Sequence, residues 1–217
     1  MSERTGELLP NGRVLRYNFR ERMIHWTAGL SYLYLLFTGL AFWSPWLFWM
    51  AVVLGGGSIS RMLHPWAGLV FVFAVILMYG MWADQMRETK ADKAWWEGIN
   101  NYITNQDEKM PAVGRFNGGQ KLLFWGFFWC GVALLLSGIV LWLPQDFPHI
   151  VRLAAIFLHP VAALITIGLF MLHVYMGVVF EKGAFGAVIR GDVSRGFAKE
   201  HHGQWYDEIA GEASAKR

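Results

Sequence analysis

LHPVAALITIGLFMLHVY, residues 158–175, is the stretch that decides how the chain is read. It lies in an apolar run from about Ile156 to Phe180 and carries His159 and His173 near its ends. On an α-helix, the fourteen steps between them rise about 21 Å and bring the side chain back to within about 40° of its starting direction. One helix therefore holds two imidazoles on nearly one face, one toward each side of a hydrocarbon layer about 30 Å thick. Ionisable groups inside a span are costly and are retained for function. Two at this spacing point to two cofactors stacked across a bilayer. The alternative is that each imidazole only hydrogen-bonds to a neighbouring helix. The rest of the chain decides between them.

The 217 residues have a mean hydropathy of +0.32 and are 55% hydrophobic, too apolar for an ordinary soluble domain and enough for four or five spans. The single cysteine, Cys130, sits in an apolar run, and neither CxxC nor CxxCH occurs. That excludes an intrachain disulfide, a covalently attached c-type haem and a cysteine-ligated cluster within the chain. The net charge of +3 is modest, and the basic residues lie at the ends of apolar runs. Membrane topology accounts for them, and nucleic acid is not an expected partner.

Residues 1–22 are polar and basic, without the cleavage site of a signal peptide. A first span is expected over about Met23–Trp43, with His25 just inside it. WLFWMAVVL, residues 46–54, is short for a span. It reads as an interfacial or re-entrant segment, with a fifth span as the alternative. The second span is expected over about Leu63–Trp82, with His64 and Pro65 in its first turn, where a proline costs nothing. The polar loop 83–121 contains ADKAWWEGINNYI, a candidate surface helix. The third span is expected over about Leu122–Leu143. A short loop with Pro144, Pro148 and His149 leads to the fourth. The polar tail 181–217 ends in a charged, Ala-rich segment expected to be disordered. The expected organisation is a cytoplasmic segment 1–22, a transmembrane domain 23–180 and a cytoplasmic tail 181–217.

Lysine and arginine set the orientation. The N-terminal segment holds five, the 83–121 loop six and the tail six, whereas the other two connections hold only Arg61 and Arg152. By the positive-inside rule both termini and the long loop face the cytoplasm, and the connections near Gly56 and Pro148 face outward. The histidines then sort by depth. His25 and His173 lie at the inner level, His64 and His159 at the outer. Neutral imidazoles facing each other across a bundle supply both axial ligands of a b-type haem. Gly39 lies fourteen residues after His25, so it should reach the outer level on the same face, where a flat macrocycle needs a helix without a side chain. Gly29, Gly68, Gly138 and Gly168 are further candidates, although small residues also serve plain helix packing. The resulting fold class is an all-α, integral membrane four-helix bundle binding two b-type haems. His149, in an outer loop, is a poor rival to His159 as ligand, and His201 and His202 are assigned to a surface role or a subunit contact.

RMLHP (61–65), GRFNGGQKLLFW (114–125), the 159–175 helix and AKEHHGQWYDE (198–208) together resemble the gamma (cytochrome b) subunit of respiratory, membrane-bound formate dehydrogenases. The likeness runs in order across most of residues 14–209. The family's four haem ligands fall on His25, His64, His159 and His173. The chain departs from the usual pattern at Lys199-Glu200 and Gly203-Gln204, around the tail histidines, and at Trp142-Leu143-Pro144. The resemblance also implies a site for menaquinone or ubiquinone beside the inner haem, near Asn117 and Gln120. Side-chain amides there would offer both donors and acceptors to a quinone. Without the resemblance, the residues read more readily as an ordinary loop and helix start with Asn117 as N-cap.

What the resemblance implies is an electron-transferring, quinone-reducing subunit of a bacterial inner-membrane complex, with formate oxidised elsewhere. Its partners would be an iron–sulfur beta subunit and a molybdenum- or tungsten-containing catalytic alpha subunit. Electrons would pass from the periplasmic side through two haems to quinone at the cytoplasmic side. The alternatives are the cytochrome b subunit of a nickel–iron hydrogenase or related periplasmic oxidoreductase, and a haem-free anchor or transporter whose histidines line a proton or metal path.

Overall fold

The computed structural model describes residues 5–215, with side chains to 211. Four long helices dominate: α1 (Phe19–Trp43), α3 (Gly57–Trp82), α6 (Gly118–Trp142) and α7 (His149–Val174), the last continuing as a π-helical turn over Tyr175–Phe180. Short elements fill the connections: α2 (Trp49–Val53) after a 3₁₀ turn at Pro45–Leu47, then α4 (Lys90–Glu97) and α5 (Ile99–Ile103). The tail forms α8 (Ala184–Ile189), α9 (Arg195–His201) and α10 (Gly203–Ala215). One two-stranded antiparallel ribbon joins β1 (Val14–Leu15) to β2 (Asp192–Val193).

Among the described residues, three helices are long and apolar enough to cross a membrane: α3, α6, and α7 with its π continuation. At 25 residues α1 is as long as α6, but Thr27, Ser31, Tyr32, Tyr34 and Thr38 dilute its apolar run. α2 has five residues, far short of the roughly twenty a span needs. Large apolar side chains stand open along the long helices, among them Leu30, Phe73, Trp129, Leu136 and Phe157. A contiguous apolar surface of this kind fits hydrocarbon, not water.

The chain divides into two compact units, one of residues up to Arg22, Met81–Trp125 and from His173 onward, the other of Met23–Gly80 and Gly126–Leu172. In the second, helical unit the packing centres on buried Tyr32 of α1. Its ring meets Phe71 of α3 at 5.8 Å, Phe127 of α6 at 6.2 Å and Phe170 of α7 at 5.0 Å, and its hydroxyl lies 3.3 Å from Thr166 Oγ1. Every long helix contributes, so one aromatic side chain ties the bundle at mid-height. Gly126 allows α6 and α7 to approach, since a Cβ there would fall 2.9 Å from Leu169. Trp66 of α3 and Trp142 of α6 meet edge to face at 5.3 Å near the end where α3 begins and α6 stops. With exposed Trp43, Trp46 and Trp49 they form the aromatic belt expected at a membrane–water boundary.

The first, polar unit is built on reciprocal helix caps. Asn18 and Glu21 cap α1, Thr89 and Asp92 cap α4, and Asn117 and Gln120 cap α6, each pair exchanging side chain and backbone hydrogen bonds. Glu21 also accepts from Trp82 Nε1 at 2.7 Å and pairs with Arg115 at 2.8 Å. Buried Asp92 pairs with Lys121 of α6 at 2.6 Å, which fixes the surface helix α4 to the start of α6. A small apolar core of Val14, Val193, Phe197, Ala198, Trp205 and Ile209 holds the tail against the ribbon.

Several boundaries differ from the sequence expectation. α3 starts at Gly57, because Gly55 and Gly56, both at φ +97°, turn the chain and let Ser60 N–H bond to Gly56 C=O. Pro65 is therefore inside the helix and not in its first turn. α7 likewise starts at His149, which is an exposed first helical residue and not part of a loop, and Pro160 is internal. The tail is folded, and its Ala-rich end is helical to Ala215, because α9 and α10 bury Phe197, Trp205 and Ile209.

Candidate histidine site of the helical unit

His64 and His159 both lie in the helical unit, on α3 and α7, with ring centres 6.4 Å apart and ring planes at 59°. A metal–imidazole bond of about 2 Å, plus about 1.1 Å from nitrogen to ring centre, puts two imidazoles on opposite sides of one ion about 6.2 Å apart, centre to centre. The observed separation therefore fits two axial ligands on a single iron. No group of three or more His, Cys, Asp or Glu suited to a metal occurs among the described residues. A two-ligand centre is what these side chains can build.

Each imidazole is held from behind by a hydroxyl. Thr38 Oγ1 of α1 is 2.7 Å from His64 Nδ1, and Ser137 Oγ of α6 is 3.0 Å from His159 Nδ1. Each hydroxyl spends its only proton on its own helix: Thr38 on Tyr34 C=O at 2.7 Å, Ser137 on Ala133 C=O at 2.6 Å. The oxygen can then only accept from the ring. Nδ1 must carry the hydrogen, and Nε2 keeps the lone pair that a metal needs. This is the outer-shell arrangement that fixes tautomer and ring orientation in metal-binding histidines.

The residue after each hydroxyl is glycine. A Cβ at Gly39 would lie 3.7 Å from His64 Cε1, and one at Gly138 would lie 3.4 Å from His159 Cε1. Both would already touch the ring, so a longer side chain would take the space beside it. Gly39 thus occupies the level expected from its spacing to His25. Each histidine is followed by a proline inside its helix, His64-Pro65 and His159-Pro160. Lacking N–H, these leave the carbonyls of Arg61 and Ile156 without their helical donor.

The four predicted ligands are not all brought together in one unit. His25 belongs to the helical unit, six residues into α1 and 5.9 Å from the Trp26 ring, whereas His173 belongs to the polar unit, exposed at the penultimate position of α7. The π-helical turn begins two residues after His173, a distortion often found at functional sites. Sequence reasoning missed Thr38 and Ser137. The signal was present as two hydroxyl–glycine pairs, Thr38-Gly39 and Ser137-Gly138, on the helices preceding the two His-Pro pairs.

Asn117 and Gln120 are the N-cap and third residue of α6. Asn117 N–H bonds to Gln120 Oε1 at 3.1 Å and Gln120 N–H to Asn117 Oδ1 at 2.9 Å. The capping role weighed for Asn117 is therefore realised, and both amide oxygens are used as acceptors. Each amide NH₂ retains donors. Asn117 lines a cavity of about 10 Å³ with Trp95, Tyr102, Glu200 and His201, room for about one water and not for a quinone ring. At its wall, Tyr102 donates to Glu181 Oε1 at 2.5 Å, and His201 Nδ1 is 3.3 Å from Glu181 Oε2. Burial and the Glu181 carboxylate push the Tyr102 phenol well above its ordinary range, so it stays a donor.

Of the two tail histidines, His201 is partly exposed and His202 is not a surface group. His202 is 1% exposed, with Nδ1 2.9 Å from Gly114 C=O and its ring edge-on to Trp205 at 6.3 Å. Burial, reinforced by the nearby Arg16 charge, pushes its pKa well below the usual histidine range. It is a neutral structural donor between the tail and the 83–121 loop.

The family whose model matches residues 16–191 is described as prokaryotic cytochrome b561. The cytochrome b556(Fdn) subunit of the nitrate-inducible formate dehydrogenase of Escherichia coli (strain K12) is 32% identical over 207 residues, covering 94% of each chain. The formate dehydrogenase cytochrome b556 subunit of Haemophilus influenzae is 31% identical over 207 residues, 93% of this chain and 86% of the other. The cytochrome b556(fdo) subunit of E. coli formate dehydrogenase is 32% identical over 200 residues, 90% and 93% of the two chains.

Proposed function

The chain belongs to the prokaryotic cytochrome b561 family, and from that premise we propose that it is the four-span, dihaem membrane subunit of a formate dehydrogenase, passing electrons to quinone. The observation that carries the reading is the His64–His159 pair, two imidazoles 6.4 Å apart with both hydroxyl oxygens committed as acceptors. His64 and His159 hold one haem, His25 and His173 the other. The first span is α1. It is the least apolar of the four, but no acidic or strongly basic residue lies between Arg22 and Arg61. Two bound haems supply one-electron carriage between a donor at one membrane face and quinone at the other.

The work of this chain's own residues follows. Thr38 and Ser137 fix the tautomer and orientation of the outer imidazoles. Gly39 and Gly138 keep the adjoining helix faces flat. The Asn117 and Gln120 amides are assigned to donate to the carbonyl oxygens of a quinone seated outside the one-water cavity; its reduction takes up two electrons and two protons. Glu181, which accepts from Tyr102 and lies beside His201, marks the end of the chain assigned to the cytoplasm. The distribution of lysine and arginine supports that side for both termini and for the 83–121 loop. Electrons moving inward while protons are taken up from the cytoplasm make the reaction charge-separating.

The relatives are named as subunits of formate dehydrogenases, which supports a formate-oxidising partner; an iron–sulfur subunit and molybdenum or tungsten in the catalytic subunit are what the family resemblance implies. The test is to purify the full chain with whatever stays bound, take a reduced-minus-oxidised spectrum and identify the partners by mass spectrometry. Two haems b per chain with a formate-oxidising partner are expected. A hydrogenase partner would change the donor and leave the haem reading intact. A fully folded chain without haem would overturn it in favour of an anchor or transporter.

A further inference from the structure

We propose that Arg61 and Arg152 bind the two propionate carboxylates of the outer haem and so orient its carboxylate edge toward the outer membrane face. The proposal rests on the bis-histidine reading of His64 and His159.

The first observation is placement. Of nineteen lysines and arginines, Arg61 and Arg152 alone lie outside the three regions assigned to the cytoplasm. A cation in an outward connection runs against the positive-inside rule. Both sit in register with a candidate ligand. Arg61 precedes His64 by three residues on α3, a rise of about 4.5 Å and an offset of about 60°. Arg152 precedes His159 by seven on α7, about 10.5 Å and about 20°. α3 and α7 run the same way, because Phe71 and Phe170 both meet Tyr32, each at least one turn beyond its helix's histidine. The two guanidiniums therefore lie beyond the two imidazoles toward one end of the helical unit, one from each helix.

The second observation is the surroundings. Neither arginine forms an ion pair among the described residues. Arg152 Nε is buried without a hydrogen-bond partner. Arg61, itself exposed, lines an open groove of about 670 Å³ with Ala41, Phe42, Pro45 and Phe48. That size suits a cofactor-scale ligand. Phe42 also meets the His64 ring at 5.5 Å, so the groove adjoins the candidate ligand itself. An apolar groove with one guanidinium at its rim suits an apolar body that carries an anion at its edge. Haem b has that form, with two propionates on one side of the macrocycle. Guanidinium and carboxylate pair through two parallel hydrogen bonds, and the orphaned Nε of Arg152 is a donor suited to that fork.

Reduction adds an electron beside these charges, so a neighbouring cation favours the reduced haem. The test uses the full chain with its bound partners, as Arg61→Gln, Arg152→Gln, the double variant and the matching Arg→Lys variants. Midpoint potentials of both haems are read by spectroscopic redox titration, with the outer haem assigned through His159→Ala. Each Gln substitution should shift the outer-haem reduction equilibrium three- to tenfold toward the oxidised form. That is a fall of about 30–60 mV at 59 mV per tenfold. The double variant should shift further, the Lys variants by less than twofold, and the inner haem should not move. Its retained spectrum reports an intact fold. An unchanged outer-haem potential in the double variant, or equal shifts in the Lys and Gln variants, overturns the proposal. A wild-type chain with no outer haem overturns the bis-histidine reading itself, before any arginine is changed.

Discussion

Replacing Thr38 with Val, or Ser137 with Ala, should raise the midpoint potential of the outer haem. In the structure the hydroxyl protons are committed to Tyr34 C=O and Ala133 C=O, so each imidazole donates Nδ1–H to the oxygen. That donation makes the ring a better electron donor to a bound iron. It therefore favours the oxidised, more positive ion. Thr38 is fully buried and Ser137 nearly so, and no water compensates cheaply for the lost acceptor. A hydrogen bond of this kind has a net worth of about 0.5–1.5 kcal/mol. If about 1 kcal/mol of it differs between the oxidised and reduced states, the reduction equilibrium moves about fivefold, or about 40 mV at 59 mV per tenfold. The two hydroxyls serve separate rings, so the double variant should move about 80 mV if the effects add. Spectro-electrochemical titration of the purified protein reads the shift, and the inner haem is the internal standard. The sign is opposite to that expected for the arginine variants. An unchanged or lowered outer-haem potential in the double variant would refute the tautomer argument. Haem loss should also rise, since removing an outer-shell partner typically costs 10- to 100-fold in metal affinity.

The remaining expectations can be checked on the same preparation. His159→Ala should remove the outer haem and leave the inner one loaded, and His173→Ala should do the reverse; a variant that keeps both haems contradicts the pairing by depth. Asn117→Asp and Gln120→Glu keep the cap oxygens that start α6 but delete the amide donors. Haem oxidation by quinone should therefore slow about ten- to hundredfold, for a loss of about 1–3 kcal/mol, with haem loading unchanged. Equal rates on rapid mixing would reduce both residues to a helix cap. Because burial depresses the pKa of His202, the unfolded chain binds the proton more readily than the folded one. Stability is thus full above about pH 6.5 and falls as pH drops below it, by at most about 1.4 kcal/mol per pH unit. Thermal melts of wild type and His202→Gln should diverge between pH 7.5 and 5.5, and parallel pH profiles would count against a neutral buried imidazole. A reporter fused near Gly56 should signal the outside and one after Arg217 the cytoplasm; a cytoplasmic signal at Gly56 would reverse the orientation.

The parts of the fold that follow from helix periodicity were legible in the sequence. His64 and His159 could be matched because a helix converts residue number into depth, and depth alone pairs residues ninety-five positions apart. Gly39 was legible for the same reason. Thr38 and Ser137 were not. A hydroxyl in a helix usually bonds back to its own backbone, and both do so here. Their second role uses the remaining lone pair, which only the neighbouring helix reveals. Composition misled in the tail. A polar, Ala-rich segment reads as solvated, yet Trp205 and Ile209 on one face of α10 join Val14 and Val193 in a core that local patterning does not announce. His202 reads from the sequence as a surface or subunit-contact residue because its burial depends on a loop eighty-eight residues away, through Gly114 C=O. Pro65 was misplaced because two glycines at positive φ start α3 two turns early.

The helical unit also explains why the outer site needs both halves of the chain. The N-terminal half supplies Thr38-Gly39 on α1 and His64-Pro65 on α3, and the C-terminal half supplies Ser137-Gly138 on α6 and His159-Pro160 on α7. Hydroxyl to histidine spans 26 residues in one and 22 in the other. Each helical hairpin thus carries one oriented imidazole, one hydroxyl that orients it and one glycine that clears the space beside it. Neither hairpin alone presents two ligands. The pair forms when α1, α3, α6 and α7 close around Tyr32, which touches all three other helices at mid-height. On the proposed bis-histidine reading, haem affinity and bundle packing would be linked. Iron held between His64 and His159, whose rings are 6.4 Å apart, would stabilise the contact between the hairpins. A cavity at Tyr32, made for example by Tyr32→Ala, should loosen both ligands at once although it touches neither.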